Sequence, residues 1–494
     1  MSYFKIDFRQ HSSIQEAINT IPAGVTNLDL GENDLGSLTV ADLVAIFASI
    51  PKSVRSLDLY KNRLGSLQVD DLVTVFRNFP QGITSLGLAL NAGLEEALSS
   101  IPDGVTHLDL RSNLLGNRGL LVKLDKLLSG IPMSVSRLDL SYNFLNRMLV
   151  DNLVSALSAI PAGVKSLYLG YNNLNKFSGM NLSDVLRGIS GSVTHLDLSH
   201  NHLDFLSGAD LGAAFASIPI SVTYLNLRNN NLGNLSGDDL KTALSGIPAG
   251  VTHLDLSSND LEQRSSAELA AALARIPQSV RSLDLADNDL GKRSEAELAT
   301  LLAYIPNTLK EVRLAGLASK SEAYLKEAFS GLHRNGITIS FEGERIFTPG
   351  DREANDALLK KLRSVADGRS LCFTNTGESD LWRGMSTLLG LSQQFVITGT
   401  GITDIPPDVI DHIASFLVSQ GQAKDLTALL NSDIITKIMG RESENTNREA
   451  CIINTIDLSE VGLSMVEYNG SIRASGLFDN RSEEVSDALL SMEK

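Results

Sequence analysis

The stretch "VTHLDLSSNDL", Val251 to Leu261, decides the fold, because the chain writes it repeatedly: "VTHLDLRSNLL" begins at Val105 and "VTHLDLSHNHL" at Val193. Its asparagine marks the period. The equivalents fall at Asn33, Asn62, Asn91, Asn113, Asn143, Asn172, Asn201, Asn230, Asn259 and Asn288, so the successive steps are 29, 29, 22, 30, 29, 29, 29, 29 and 29. Each unit alternates apolar residues at period 2 for a few positions, with Val251, Leu254 and Leu256 facing inward. The spacing then turns helical: in "LSGDDLKTALSGIP", Leu240, Ala243, Leu244 and Ile247 share one face. Asp42, Asp71, Asp210, Asp239, Glu268 and Glu297 put a carboxylate in the first turn of these helices, where the dipole favours it. Prolines at Pro51, Pro132, Pro161, Pro219, Pro248, Pro277 and Pro306 stop them. One strand and one helix make a unit too small to bury its own apolar face, so neighbours must stack.

The phrase LxxLxLxxNxL resembles the consensus of a leucine-rich repeat. A repeat this long, with room for a full helix on the outer side, resembles the ribonuclease-inhibitor-like subclass over residues 26 to 344. That resemblance implies an α/β solenoid of about eleven units, a horseshoe with parallel strands inside and helices outside, which mostly binds other proteins and carries no shared catalytic site. The one short step, from Asn91 to Asn113, departs from it. There "LNAGLEEALSSIPDGV" loses most of the strand-to-helix loop, which predicts a shorter helix and a notch in the outer wall. The N-terminal "SSIQEAINTIP" reads as the helical half of a unit, so residues 1 to 25 are expected to cap one end. At the other end Leu317 stands where the next asparagine is due.

The chain has 494 residues, 43% hydrophobic, enough for more than one folded unit. A formal charge of −16 argues against a nucleic-acid partner, which needs clustered Lys and Arg. A protein with a basic surface is the expected complement. No apolar run reaches the length of a bilayer span, and "MSYFKIDFRQHSSIQEAINTIPAGV" lacks a secretory signal's basic and apolar regions, so the expected compartment is cytosol. Cys372 and Cys451 have neither disulfide-framework nor zinc spacing. His195 with Asp197 and His253 with Asp255 follow from the repeat, so neither a metal nor another cofactor is expected.

The strand position between the second and third leucine faces the concave side. Down the stack it reads Asp29, Asp58, Gly87, Asp109, Asp139, Tyr168, Asp197, Asn226, Asp255, Asp284 and Arg313, an interrupted acidic ladder. Two readings stay open. In one, the aspartates are a solvated face relieved by His107, His195 and His253 one column away. In the other, Tyr60, Arg111, Tyr142, Tyr168, Tyr171, Tyr224 and Arg228, with Asp109, Asp139, Asp197 and Asp255, form a hot spot for a basic protein partner. The asparagine column is structural, because a side-chain amide both donates and accepts in the turn that ends each strand.

Beyond Pro349 and Gly350 the period is gone, and residues 345 to 494 read as a smaller, mainly helical region. In "ITDIPPDVIDHIASFLVSQ", Ile405, Pro406, Val409, Ile410, Ile413 and Leu417 resemble the start of an F-box, which implies docking to the adaptor of a cullin-type ubiquitin ligase. Cys372 in "LCFTN" and Cys451 in "ACIIN" lack the CxD context of the bacterial leucine-rich-repeat ligases, and no HExxH, GxxxxGK[ST] or GxSxG occurs. The final "NRSEEVSDALLSMEK" resembles the translocation signal of type IV secretion effectors of intracellular bacteria, as do the near-identical repeats. That resemblance implies a bacterial protein exported into the host-cell cytosol to bind a host protein. The competing expectation is a ligase component or enzyme whose repeats recruit the substrate.

Overall fold

The computed structural model describes residues 3–117, 124–317, 320–332, 337–342, 370–374, 394–398 and 401–402. Eleven strands follow the sequence phrase at its repeat: β2 (Asn27–Asp29), β3 (Ser56–Asp58), β4 (Ser85–Gly87), β5 (His107–Asp109), β6 (Arg137–Asp139), β7 (Ser166–Tyr168), β8 (His195–Asp197), β9 (Tyr224–Asn226), β10 (His253–Asp255), β11 (Ser282–Asp284) and β12 (Glu311–Ala315). Two more extend them, β1 (Tyr3–Lys5) before and β13 (Thr338–Glu342) after. All pair parallel in chain order, with helices or 3-10 turns on each return. This is the leucine-rich repeat solenoid that the phrase predicts.

Every mid-strand residue from Leu28 to Leu283 is a leucine, and each is buried together with the Val251 and Leu256 types that flank it. Burying such a side chain contributes roughly 2 kcal/mol. The helices close the other side, and Leu240, Ala243, Leu244 and Ile247 are buried as their spacing requires. The prolines do more than stop helices. The carbonyl of Pro248 accepts the Val251 amide at 3.0 Å, and Pro51, Pro161, Pro219 and Pro277 do the same for Val54, Val164, Val222 and Val280, so each proline aims the next strand.

The asparagines form a continuous ladder. The backbone N–H of Asn172 donates to Asn201 Oδ1 at 3.0 Å, that of Asn201 to Asn230 Oδ1 at 2.9 Å, and the pattern runs unbroken from Asn33 to Asn288. The Nδ2 of Asn201 donates to the carbonyls of Leu169, Leu198 and Ser199 at 3.0–3.1 Å. Except for Ala92 after Asn91, the residues on either side of each asparagine sit in the left-handed region without being glycine, for example Tyr142 (φ 59°) and Phe144 (φ 53°), or His200 (φ 55°) and His202 (φ 53°). That conformation costs roughly 1 kcal/mol per residue, and it is what turns the amide into the core.

The short unit absorbs its deletion on the outer side. Ser85 and His107 stay in register across β4 and β5, while Glu95–Ser100 forms a six-residue 3-10 turn where neighbours have α-helices. At the N-terminus the helix Ile14–Asn19 is preceded by β1, so the unit carries a strand as well as the expected helix. Within residues 345–494 the described elements are β14 (Ser370–Thr374), parallel to β13, and β15 (Gln394–Thr398) and β16 (Gly401–Ile402), which continue antiparallel. The helices expected in this region lie outside the described residues.

Replacing Asn201 with leucine strands the Asn172 and Leu174 amides in the core, whereas the carbonyls of Leu169, Leu198 and Ser199 keep donors in Asn172 Nδ2, Asn230 Nδ2 and the Tyr171 amide. At about 1–3 kcal/mol per orphaned group, Asn201→Leu is expected to cost at least about 2 kcal/mol in urea unfolding; a loss under about 1 kcal/mol would remove the ladder from the account of stability.

Candidate functional site

On the strand face opposite the leucines, register sets the side chains in columns. Asp109 pairs Asp139, Asp139 pairs Tyr168, Tyr168 pairs Asp197, Asp197 pairs Asn226, and Asn226 pairs Asp255. The acidic ladder is therefore a physical column. Its main work is internal, and neither sequence reading includes that work. Each aspartate turns one oxygen back onto its own chain: Oδ1 of Asp58, Asp109, Asp139, Asp197, Asp255 and Asp284 accepts the backbone N–H two residues on, at 2.7–2.9 Å. Asn226 makes the same bond to Arg228 at 2.8 Å. This is an Asx-type turn, and it fixes the chain as it leaves the strand.

The second oxygen is treated differently along the stack. At the N-terminal end, Asp29 receives the Tyr3 hydroxyl at 2.6 Å and Lys5 at 3.8 Å. Arg111 lies between Asp109 and Asp139, at 3.0 and 3.7 Å. Burial alone lowers the pKa of Arg111, but the two carboxylates outweigh it and raise it. Burial and the nearby Asp109 push Asp139 up to about 6. At the far end Arg313 reaches Asp284 at 3.6 Å and Glu311 at 3.1 Å. In the middle, Asp197 and Asp255 form no ion pair among the described residues. Asp197 accepts the Ser199 amide and Asn226 Nδ2, at 2.7 and 2.8 Å, and burial, then Asp255, raise its pKa against the hydrogen bonds from Ser199 and Asn226. Asp255 accepts the Ser257 amide and hydroxyl on the same oxygen.

Two aromatic stacks flank this middle stretch. On one side Tyr224 lies between His195 and His253, with ring centroids 5.6 and 6.2 Å apart. The Tyr224 hydroxyl has no hydrogen-bond partner among the described residues, and burial followed by Asp255, Asp197 and Asp284 raises its pKa. On the other side Tyr142, Tyr171 and His200 stack at 4.0 and 3.9 Å, and the Tyr171 hydroxyl meets His200 Nε2 at 3.2 Å. Arg137 lies over the Tyr168 ring at 4.5 Å.

The structure sorts the eleven concave-face candidates. Tyr168, Tyr224, Arg228, Asp197 and Asp255 come together, partly exposed, at β7–β10. Arg228 spans to Ser257 at 2.9 Å and Asp287 at 3.1 Å. Tyr60 and Tyr142 are only 8% and 7% exposed and build a small apolar cluster with Ala89, flanked by Leu90, Leu114, Phe144 and Tyr171. Asp109 and Asp139 share the single Arg111 guanidinium. Arg137 and His200 belong to the surface and escape a reading confined to one column; counting back one full repeat from Ser166 and Asn229 would have found them. The helix containing Ile405, Pro406, Val409, Ile410, Ile413 and Leu417 lies outside the described residues. Among those described, no group of three or more His, Cys, Asp or Glu side chains could hold a metal, and no helix is long and apolar enough to cross a membrane.

No family model matches the sequence, and no curated protein is found as a relative. Among solved structures, the leucine-rich repeat-containing protein LegL7 from Legionella pneumophila aligns with 86% of this chain and 100% of its own, at 26% identity and a TM-score of 0.46. The Rad7 and Elc1 complex of yeast aligns with 66% of this chain and 78% of its own, at 15% identity and a TM-score of 0.38. The solenoid assignment rests on the repeat and the sheet register of the chain itself.

His200 supplies a pH test. Burial, then Arg228 and His202, lower its pKa to about 4, below the ordinary 6.5. The unfolded chain then binds the extra proton between those values, so this group's contribution to stability is present above pH 6.5 and is lost as pH falls toward 4, by up to about 1.4 kcal/mol per pH unit. The raised Asp139 and Asp197 act with the opposite sign. Urea midpoints of the wild type and His200→Phe are therefore expected to converge as pH drops from 7 to 4, and a constant offset would contradict the assignment.

Proposed function

We propose that this chain is a protein-binding scaffold that grips a partner with a basic surface on the concave face at β7–β10. The observation that carries this reading is the uncompensated middle of the ladder: Asp197 and Asp255, without an ion pair among the described residues, beside Tyr224, whose hydroxyl has no partner there. A partner's Arg or Lys supplies the cation that Arg111 and Arg313 supply elsewhere in the column. Rigid stacked strands lose little conformational freedom on binding, so the contact energy is not spent on ordering the site.

The finer part of the proposal is that the partner is a host protein and that the chain reaches it as a type IV secretion effector. Its support is the resemblance of "NRSEEVSDALLSMEK" to such signals. A translocation reporter fused to the chain checks this part separately: delivery into host cells that needs the secretion system is expected, and equal delivery without that system would reject it.

The binding reading is tested by quantitative capture from host-cell lysate with the full chain. Asp255→Asn keeps the bond to the Ser257 amide, as Asn226 does naturally, and removes only the charge. Asp255→Asn and Tyr224→Ala are each expected to weaken the captured partner about 5- to 30-fold. Glu295→Gln on the outer helix Glu295–Tyr304 leaves capture unchanged. Loss in Glu295→Gln equal to that in Asp255→Asn would reduce the effect to net charge, and unchanged capture by Tyr224→Ala would reject the site.

A further inference from the structure

The concave face also holds a cation that no carboxylate compensates. Three of its arginines are paired: Arg111 with Asp109 and Asp139, Arg228 with Asp287, and Arg313 with Asp284 and Glu311. Arg137 on β6 differs. It is half-buried and carries five N–H donors, yet its guanidinium forms no ion pair and no hydrogen bond among the described residues. Asp139, two residues on along the same strand face, accepts the Ser141 amide at 2.9 Å and lies 3.7 Å from Arg111 instead. What Arg137 does meet is the Tyr168 ring, 4.5 Å from its centroid. A ring face attracts the charge but supplies no oxygen to the N–H groups, so the guanidinium is held in place with its donors unanswered.

The neighbours of Arg137 leave this positive charge standing. Register places it between His107 on β5 and Ser166 on β7. Burial, then the Arg137 charge, lower the His107 pKa, so that ring is neutral at pH 7. Lys165, next to Ser166 in the chain, is exposed and forms no ion pair among the described residues; its ammonium donates to the Ala162 carbonyl at 3.0 Å. Unpaired positive charge at β6–β7 therefore adjoins the unpaired negative charge of Asp197 on β8 and Asp255 on β10. Both sit on one rigid sheet, in a chain whose formal charge of −16 would otherwise favour cations everywhere.

Strands in a sheet lie about 4.8 Å apart, which puts Arg137 about 10 Å from the strand of Asp197 and about 19 Å from that of Asp255. An extended segment rises about 3.3 Å per residue, so an acid and a base about three to six residues apart in it span the same interval. We infer that the partner segment is bipolar: it lies across the strands with a Glu or Asp carboxylate at Arg137 and an Arg or Lys at Asp197 and Asp255. This polarity rests on the concave-face binding proposed above and narrows the partner within it. A uniformly basic segment meets Arg137 as a repulsive group, so this arginine selects against it. Asp139 and Asp197 close by favour a carboxylate over the higher charge of a phosphate.

Retention of the full chain on surface-bound peptides, at physiological salt, tests the polarity. The probes are glycine-serine peptides with a glutamate and an arginine about five positions apart, or with arginine at both places, or with neither. The wild type is expected to bind the Glu–Arg peptide at least about fivefold more tightly than the Arg–Arg peptide, the reverse of what net charge alone dictates. Arg137→Gln, which keeps a polar side chain and removes the charge, abolishes that preference, and Asp255→Asn weakens both arginine-containing peptides. Equal or tighter retention on Arg–Arg by the wild type, or a preference that survives Arg137→Gln, would overturn the bipolar segment. If Asp255→Asn still weakens binding in that case, the concave site itself stands. Retention no better than on the uncharged peptide would overturn both, and tighter retention with phosphoserine in place of the glutamate would overturn the carboxylate.

Discussion

The structure depends on one repeated constraint: a backbone amide at the end of each strand must find an acceptor inside the stack, and the next repeat's asparagine is that acceptor. The amide of Asn172 uses Asn201, the amide of Asn201 uses Asn230, and the same side chains bind carbonyls of their own repeat and of the one before. Because each bond crosses a repeat boundary, no unit is satisfied alone. The left-handed residues beside the asparagines are the conformational cost of aiming them inward. Where the ladder ends, Leu317 occupies the equivalent place and is fully buried, so the terminal repeat substitutes packing for hydrogen bonding.

The parts of the fold that this constraint governs were legible. Leucine spacing located the mid-strand core, the asparagine step located each turn, and the short unit after Asn91 announced a shortened outer element. The less legible parts are those without the phrase. Tyr3–Lys5 and Thr338–Glu342 add strands by pairing with a neighbour already in place, which leaves little trace in their own residues. The aspartate column was placed correctly but its chemistry was not legible, because an acidic side chain facing solvent and one folded back onto the amide two residues on have the same sequence. Only coordinates separate Asp109, locked to Arg111, from Asp255, which has no ion pair among the described residues.

That separation organises the concave face. A regular repeat generates a uniform surface, and recognition needs a place where uniformity fails. Here Arg111 and Arg313 quench the ladder toward either side, and the residual negative charge collects between β8 and β10, flanked by Tyr224 and its histidines. The second stack, Tyr142 with Tyr171 and His200, shows the other use of aromatic rings in a solenoid: spaced by the sheet itself, they stiffen the wall they stand on.

The six-residue 3-10 turn at Glu95–Ser100 bears on the shape of the stack. Strands in a sheet sit about 4.8 Å apart, whereas packed helices need about 8–10 Å, and this mismatch between inner and outer spacing bends such an array into an arc. A unit whose outer brick is thinner than a helix takes up less of the outer circumference. It acts as a keystone cut too narrow, so the spacing argument predicts a flatter arc there, ahead of the strands β7–β10 that carry the proposed concave surface.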